Sequence, residues 1–217
     1  MNHIVFTGGG TGGHVYPGLA VYESLSATAR EQIVWIGTRF GVEREIISAA
    51  GLQYFTIQSG KLRRYFDLEN VVDAFRVVVG TVQSYLLLKR LNTKVVFSKG
   101  GFVAVPVVLG AWMRGIPVVI HESDLDPGLA TRITARFARR VFVPLDDTRD
   151  RLSRTVRRRT VVSGNPVRRA FVETSRESAL ASVGLEESGL PVILVTGGSL
   201  GARRINEGSC TARIIGS

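Results

Sequence analysis

The chain begins Met1-Asn-His3-Ile-Val-Phe6-Thr-Gly8-Gly-Gly10-Thr-Gly-Gly13-His14-Val-Tyr-Pro-Gly-Leu-Ala20. A short apolar run, His3 to Phe6, enters five glycines set around one threonine, and a histidine and an apolar helical pattern follow. Glycine lets a backbone come close to a ligand and take a positive φ. A helix that starts at such a turn points its first N–H groups and the positive end of its dipole at whatever binds there. The stretch therefore reads as strand, anion-binding turn and helix, with His14 beside the turn. A second apolar run, Val192 to Thr196, enters Gly197-Gly-Ser199-Leu-Gly201-Ala202 in the same way. Two such units far apart in the chain imply two α/β domains facing one cleft.

Between them the pattern alternates. Strand candidates are Ile4–Phe6, Ile33–Ile36, Tyr54–Ile57, Val95–Ser98, Val118–His121, Arg140–Val143, Thr160–Val162 and Val192–Thr196. Helical patterns cover Gly18–Thr28, Val42–Ala50, Leu68–Leu91, Ala104–Arg114 and Pro127–Arg139, and a further helix lies near Glu177–Val183. Strands alternating with helices predict a mostly parallel sheet covered on both faces. Ligands of such sheets bind beyond the carboxyl ends of the strands. Lys99-Gly-Gly-Phe102, His121-Glu-Ser-Asp124 and the first glycine turn all fall at strand ends of this kind.

The 217 residues, 45% of them hydrophobic, suffice for one full domain and part of another. The single cysteine, Cys210, excludes an intrachain disulfide and fits a reducing compartment. No secretory signal and no uninterrupted apolar span of bilayer length is visible. The net charge is +10, and arginines crowd between Arg132 and Arg169. Such a surface suits an anionic membrane, a nucleic acid or a phosphate-rich substrate. No aromatic–basic repeat, zinc spacing or helix-turn-helix supports nucleic acid, which leaves an anionic lipid surface as the favoured partner.

Gly8-x-Gly10-x-x-Gly13 has the form of a dinucleotide fingerprint. The acidic residue that should close it at the end of the second strand is replaced by Gly37-Thr38-Arg39, which argues against NAD. His14, with an ordinary pKa of ~6.5, can serve as a general base or as a neutral donor to a sugar or phosphate oxygen. His121, at the end of an apolar strand, reads as a structural hydrogen-bonding residue. No metal-ligand spacing occurs, and Gly197-Gly-Ser199-Leu-Gly201 lacks the histidine and acid partners of a hydrolase elbow. Leu68, Val71, Val72, Phe75, Val78, Val79, Val82 and Leu86 form an apolar helical stripe. Core packing explains most of such a stripe. Lys61, Arg63, Arg64, Lys89 and Arg90 at its edges also suit anionic lipid, with Trp112 and Met113 as an extension.

Taken in order, Gly8-Gly-Gly-Thr-Gly-Gly-His-Val-Tyr-Pro-Gly-Leu-Ala, Ser98-Lys-Gly-Gly-Phe-Val-Ala-Val-Pro, His121-Glu-Ser-Asp-Leu-Asp-Pro-Gly-Leu-Ala, Gly164-Asn-Pro-Val-Arg and Gly197-Gly-Ser-Leu-Gly-Ala-Arg resemble the MurG family over residues 1 to about 207. The resemblance implies an α/β, Rossmann-like domain of a GT-B glycosyltransferase. It implies an inverting transfer of N-acetylglucosamine from UDP-N-acetylglucosamine to undecaprenyl-linked lipid I, giving lipid II for peptidoglycan, with no cofactor and no essential metal. It puts the protein on the cytoplasmic face of the bacterial plasma membrane, against anionic inner-membrane lipid. By this likeness His14 and Asp124 are the candidate bases. Thr11, Gly12, Gly13, Arg168, Ser199 and Asn206 serve the donor and its phosphates. Gly10, Gly100, Gly101, Phe102 and Glu122 serve the acceptor.

The expected division is an acceptor and membrane domain at 1–164, a connection at 165–190 and the start of a donor domain at 191–217. Family members continue well beyond this point, and the residues after Glu207 lose the helical pattern. The chain is therefore expected to be inactive alone. Another membrane-associated GT-B glycolipid transferase and a non-catalytic membrane-binding module are the competing readings.

Overall fold

A computed structural model describes residues 2–60 and 69–185, together with Pro191, Val192, Val195, Ala202, Arg203, Ile205 and Glu207. The chain divides into two compact units, Met1–Arg169 and Ala170–Ser217.

The first unit alternates strand and helix: β1 (His3–Thr7), α1 (Gly12–Ser24), α2 (Ala27–Arg30), β2 (Ile33–Gly37), α3 (Val42–Ala49), β3 (Gln53–Thr56), α4 (Glu69–Arg90), β4 (Thr93–Ser98), α5 (Ala104–Met113), β5 (Val118–His121), α6 (Leu129–Thr134), β6 (Arg140–Val143), α7 (Asp146–Asp150), α8 (Arg154–Arg157) and β7 (Thr160–Val162). The second unit holds α9 (Ala170–Glu173) and α10 (Arg176–Ser182). The seven strands form one parallel sheet in the order β3-β2-β1-β4-β5-β6-β7. The order reverses between β1 and β4, the switch point beyond whose carboxyl ends ligands of such sheets bind.

The period-2 alternation of a strand sorts the core into two layers. Val5 of β1 joins Val96, Ile120, Val107 and Leu88 on the side covered by α4 and α5. Its neighbour Phe6 joins Val15, Leu19, Trp35 and Ile47 on the side covered by α1 and α3. Each fully buried aliphatic or aromatic side chain there contributes about 1.5–3 kcal/mol. β2, Ile-Val-Trp-Ile-Gly, is buried along its whole length, as a strand covered on both faces should be.

Three expectations change. The first helix starts at Gly12, directly on the glycine turn, and carries Pro17 inside it. The pattern Pro127–Arg139 yields only α6, because Arg139 N–H already bonds Val118 O and so belongs to the sheet. The largest correction concerns α4. Val72, Phe75, Val78, Val82 and Leu86 are 51–68% exposed, so most of the apolar stripe is not core. The helix packs on α5 through its narrow face instead. A Cβ on Gly110 would meet Ser84 Cβ and Tyr85 N at 2.9 Å, and one on Gly80 would meet Pro106 Cβ at 3.2 Å. Small residues at these contacts let the helices close up, and the bulky row is left outside. Lys61, Arg63, Arg64 and Leu68 lie outside the described residues, as does most of the strand expected at Val192–Thr196.

Candidate active site at the switch point

The loop after β1 is assembled around a buried carboxylate. Glu43, in the first turn of α3, is wholly inaccessible. Its Oε2 accepts from Gly10 N–H at 3.1 Å, and its Oε1 accepts from Thr38 N–H at 3.0 Å and Thr38 Oγ1 at 2.6 Å. A Cβ on Gly9 would sit 2.5 Å from the Glu43 carboxyl carbon, and one on Gly41 would sit 2.3 Å from it. These glycines therefore make room for a side chain. Trp35 Nε1–H donates to Gly8 O at 3.1 Å and pins the start of the same loop.

The loop after β4 crosses the first at close range. Gly101, at φ +80°, lies so near Gly9 O that an added Cβ would be 2.2 Å from it. Only glycine satisfies both demands. Phe102 then lays its ring against Gly10, where a Cβ would be 2.7 Å from it.

His14 sits in the first turn of α1. Thr11, the residue before the helix, makes no side-chain capping bond, and its Oγ1 instead lies 3.1 Å from His14 Nδ1. His14 N–H donates to Thr11 O at 3.1 Å, and no side chain caps the amides of Gly12 and Gly13, which leaves this helix start open to a ligand. The other ring nitrogen, Nε2, lies toward Gly100 in the second loop. Burial, and next the charge of Lys99, lower the His14 pKa below its ordinary value, so the ring is neutral at pH 7. When Nδ1–H donates to Thr11, the Nε2 lone pair is open to accept a proton. The loops and α6 enclose a cavity of about 410 Å³ lined by His14, Thr11, Gly10, Phe102, Glu122, Asp124 and Thr131.

Behind this cavity lies a second buried charged group. Lys99 is 1% exposed; its Nζ donates to Ser123 Oγ at 2.7 Å and His121 O at 3.3 Å. Burial brings its pKa down to about 8, against the opposing pull of Glu122 and Asp124. Glu122 accepts from three backbone amides: Ser123 and Asp124 on Oε1 at 2.8 and 3.0 Å, and Gly128 on Oε2 at 3.3 Å. That carboxylate ties the Ser123–Gly128 turn into one shape and holds Asp124 at the cavity wall. His121 donates from Nε2 to Gly164 O at 2.9 Å, and burial, with Lys99 second, pushes its pKa down to about 4. It is a neutral structural ring. Among the described residues no group of three or more His, Cys, Asp or Glu could hold a metal ion.

Residues 4–143 match the N-terminal domain of glycosyltransferase family 28. The chain belongs to that family. It is 48% identical over 203 residues to the UDP-N-acetylglucosamine--N-acetylmuramyl-(pentapeptide) pyrophosphoryl-undecaprenol N-acetylglucosamine transferase of Treponema pallidum (strain Nichols), covering 94% of this chain and 53% of that protein. It is 45% identical over 207 residues to a Bacillus cereus (strain ATCC 10987) protein of the same description, numbered 2, covering 95% and 57%. A crystal structure of Acinetobacter baumannii MurG is 26% identical and superposes with a TM-score of 0.66 over 95% of this chain and 53% of that one. The chain thus spans about half the length of the curated relatives it matches. The α/β, Rossmann-like sheet expected for a GT-B glycosyltransferase is the fold found.

In this family 28 domain the expected site residues separate into three groups. His14, Thr11, Gly10, Gly101, Phe102, Glu122 and Asp124 line one cavity; Gly12 and Gly13 open α1 beside it, and Gly100 adjoins the His14 ring. Arg168 stands elsewhere, its Nε on Glu23 Oε1 at 3.0 Å, near the far end of α1 from His14. Ser199 and Asn206 lie outside the described residues. Sequence reasoning missed Glu43 and Thr131, and it singled out Lys99 without giving it a role. Glu43 carried a usable signal: an acid in the first turn of a helix opened by Gly41. Lys99 carried only its place at a strand end between Ser98 and Gly100.

Proposed function

We propose that this chain is the acceptor-side half of an N-acetylglucosaminyltransferase that uses UDP-N-acetylglucosamine and glycosylates lipid I, an undecaprenyl-pyrophosphoryl muramyl acceptor. Residues 1–164 supply the acceptor and membrane domain, and the chain from 191 onward begins the donor domain. The observation that carries this reading is a neutral, half-buried His14 held on Nδ1 by Thr11 Oγ1, with Nε2 turned toward the second glycine loop at the sheet's switch point. Such a ring accepts the proton of a sugar hydroxyl as that oxygen attacks the anomeric carbon and UDP departs. Asp124 on the same wall can share this task. The developing charge on the diphosphate is met by helix N-terminal amides, with Arg168, Ser199 and Asn206 on the donor side once the donor half is joined.

The exposed row Val72, Phe75, Val78, Val82 and Leu86, ending at Lys89 and Arg90, supports peripheral attachment to an anionic membrane on its cytoplasmic face. Among the described residues no helix is long and apolar enough to cross a membrane.

The test joins this chain to the donor half of a relative and offers UDP-N-acetylglucosamine with either lipid I or diacylglycerol. Transfer to lipid I alone is expected. Transfer to diacylglycerol would make it a different glycolipid enzyme, and transfer to neither would make it a binding module.

A further inference from the structure

A second cavity, of about 840 Å³, adjoins the one that holds His14, and the two share Gly10 and Phe102 as their common wall. It lies over the carboxyl ends of β2 and β3, on the same rim of the sheet. Resting on the lipid I reading above, we propose that this second cavity receives the peptide stem of the acceptor, with Arg39 and Phe40 as the residues that recognise it.

The chemistry of the acceptor requires a neighbouring compartment. The relatives' name describes a muramyl sugar that bears both a pentapeptide and a pyrophosphate. The peptide hangs from the lactyl group on the carbon next to the reacting hydroxyl. A hydroxyl placed at His14 Nε2 therefore directs the stem into whatever space borders the reaction cavity.

The walls suit a peptide better than a pyrophosphate. Phe40 is 89% exposed, and the Arg39 guanidinium lies over its ring at 5.3 Å. An aromatic platform with a cation on it takes apolar side chains on one part and a carboxylate on the other. Among the described residues Arg39 has no carboxylate partner, whereas Arg76, also on this wall, is taken by Asp73 at 3.1 Å. Among the described wall residues that leaves one unpaired cation, which matches a stem carboxylate, whereas a diphosphate would call for more. The volume lies in the range that encloses a ligand of several residues.

Binding to the 217-residue chain tests this by calorimetry, with two water-soluble short-chain lipid diphosphates of N-acetylmuramic acid. One carries the pentapeptide and the other a free lactyl carboxylate. The pentapeptide compound is expected to bind about tenfold or more tightly. Arg39→Ala and Phe40→Ala should each erase most of that difference and leave the stemless affinity unchanged, with Arg39→Lys in between. Both side chains are exposed, so neither change threatens the fold. Equal binding of the two compounds, or a difference that ignores Arg39 and Phe40, overturns the stem subsite and leaves the acceptor reading standing. Binding of neither compound overturns both.

Discussion

The carboxyl rim of the sheet and the outer face of α4 break the usual distribution of residues in opposite directions. At the rim two carboxylates and an ammonium are buried: Glu43 at 0%, Lys99 at 1% and Glu122 at 4% exposure. On α4 a phenylalanine, three valines and a leucine face outward. Buried charges and large exposed apolar rows are the deviations that carry information, since each costs stability unless something compensates it. At the rim the compensation is internal. Every one of the three charged groups is hydrogen-bonded to loop atoms, and the loops owe their shape to those bonds. On α4 no described part of the first unit covers the row. One region uses charge to hold a cavity open; the other leaves an apolar row exposed.

The sharpest way to break this contrast is Glu43→Ala. It strands the amides of Gly10 and Thr38 without an acceptor, each worth about 1–3 kcal/mol when buried. A loss of about 3 kcal/mol or more in urea unfolding is expected. A loss below about 1 kcal/mol would mean that the carboxylate is incidental.

Acid should act on the rim as well. The unfolded chain binds a proton on His121 near pH 6.5, whereas the folded chain resists until about pH 4. The stability associated with a neutral His121 is therefore present above pH 6.5 and lost as pH falls from 6.5 to 4. The full shift corresponds to about 3 kcal/mol. Subtracting the profile of His121→Gln from that of the parent should isolate this slope, and parallel profiles would contradict it.

Changes to the outer row should do the reverse. Val78→Ser with Val82→Ser is expected to leave folding stability within about 0.5 kcal/mol. The same pair should weaken binding to anionic vesicles about tenfold in a flotation assay. Large destabilisation with unchanged vesicle binding would return the row to the core.

The legible part of the fold was its period. Val5 and Phe6, Val34 and Trp35 alternate between two apolar layers, and glycine runs at strand ends mark the crevice in the sequence itself. The orientation of α4 was not legible, because that helix is apolar on more than one side. The close contacts of Gly80 and of Gly110 with Ser84 decide which side packs, and such contacts depend on residues distant in sequence. The site was half legible. His14 and Gly101 stood out by type and position. Glu43 did not, and Lys99 did so by position alone, because an isolated acid or lysine in a sequence reads as surface until its partners are known. The glycines also proved to serve two ends. Gly12 and Gly13 leave a helix start open to a ligand, whereas Gly9 and Gly41 yield space to the Glu43 carboxylate.

The proposed function rests above all on His14 as the group that takes the acceptor's proton. In the chain joined to a relative's donor half, kcat for transfer to lipid I should fall at least about a hundredfold in His14→Ala, with vesicle binding and unfolding midpoint unchanged. A variant whose kcat stays within about twofold of the parent would contradict that role.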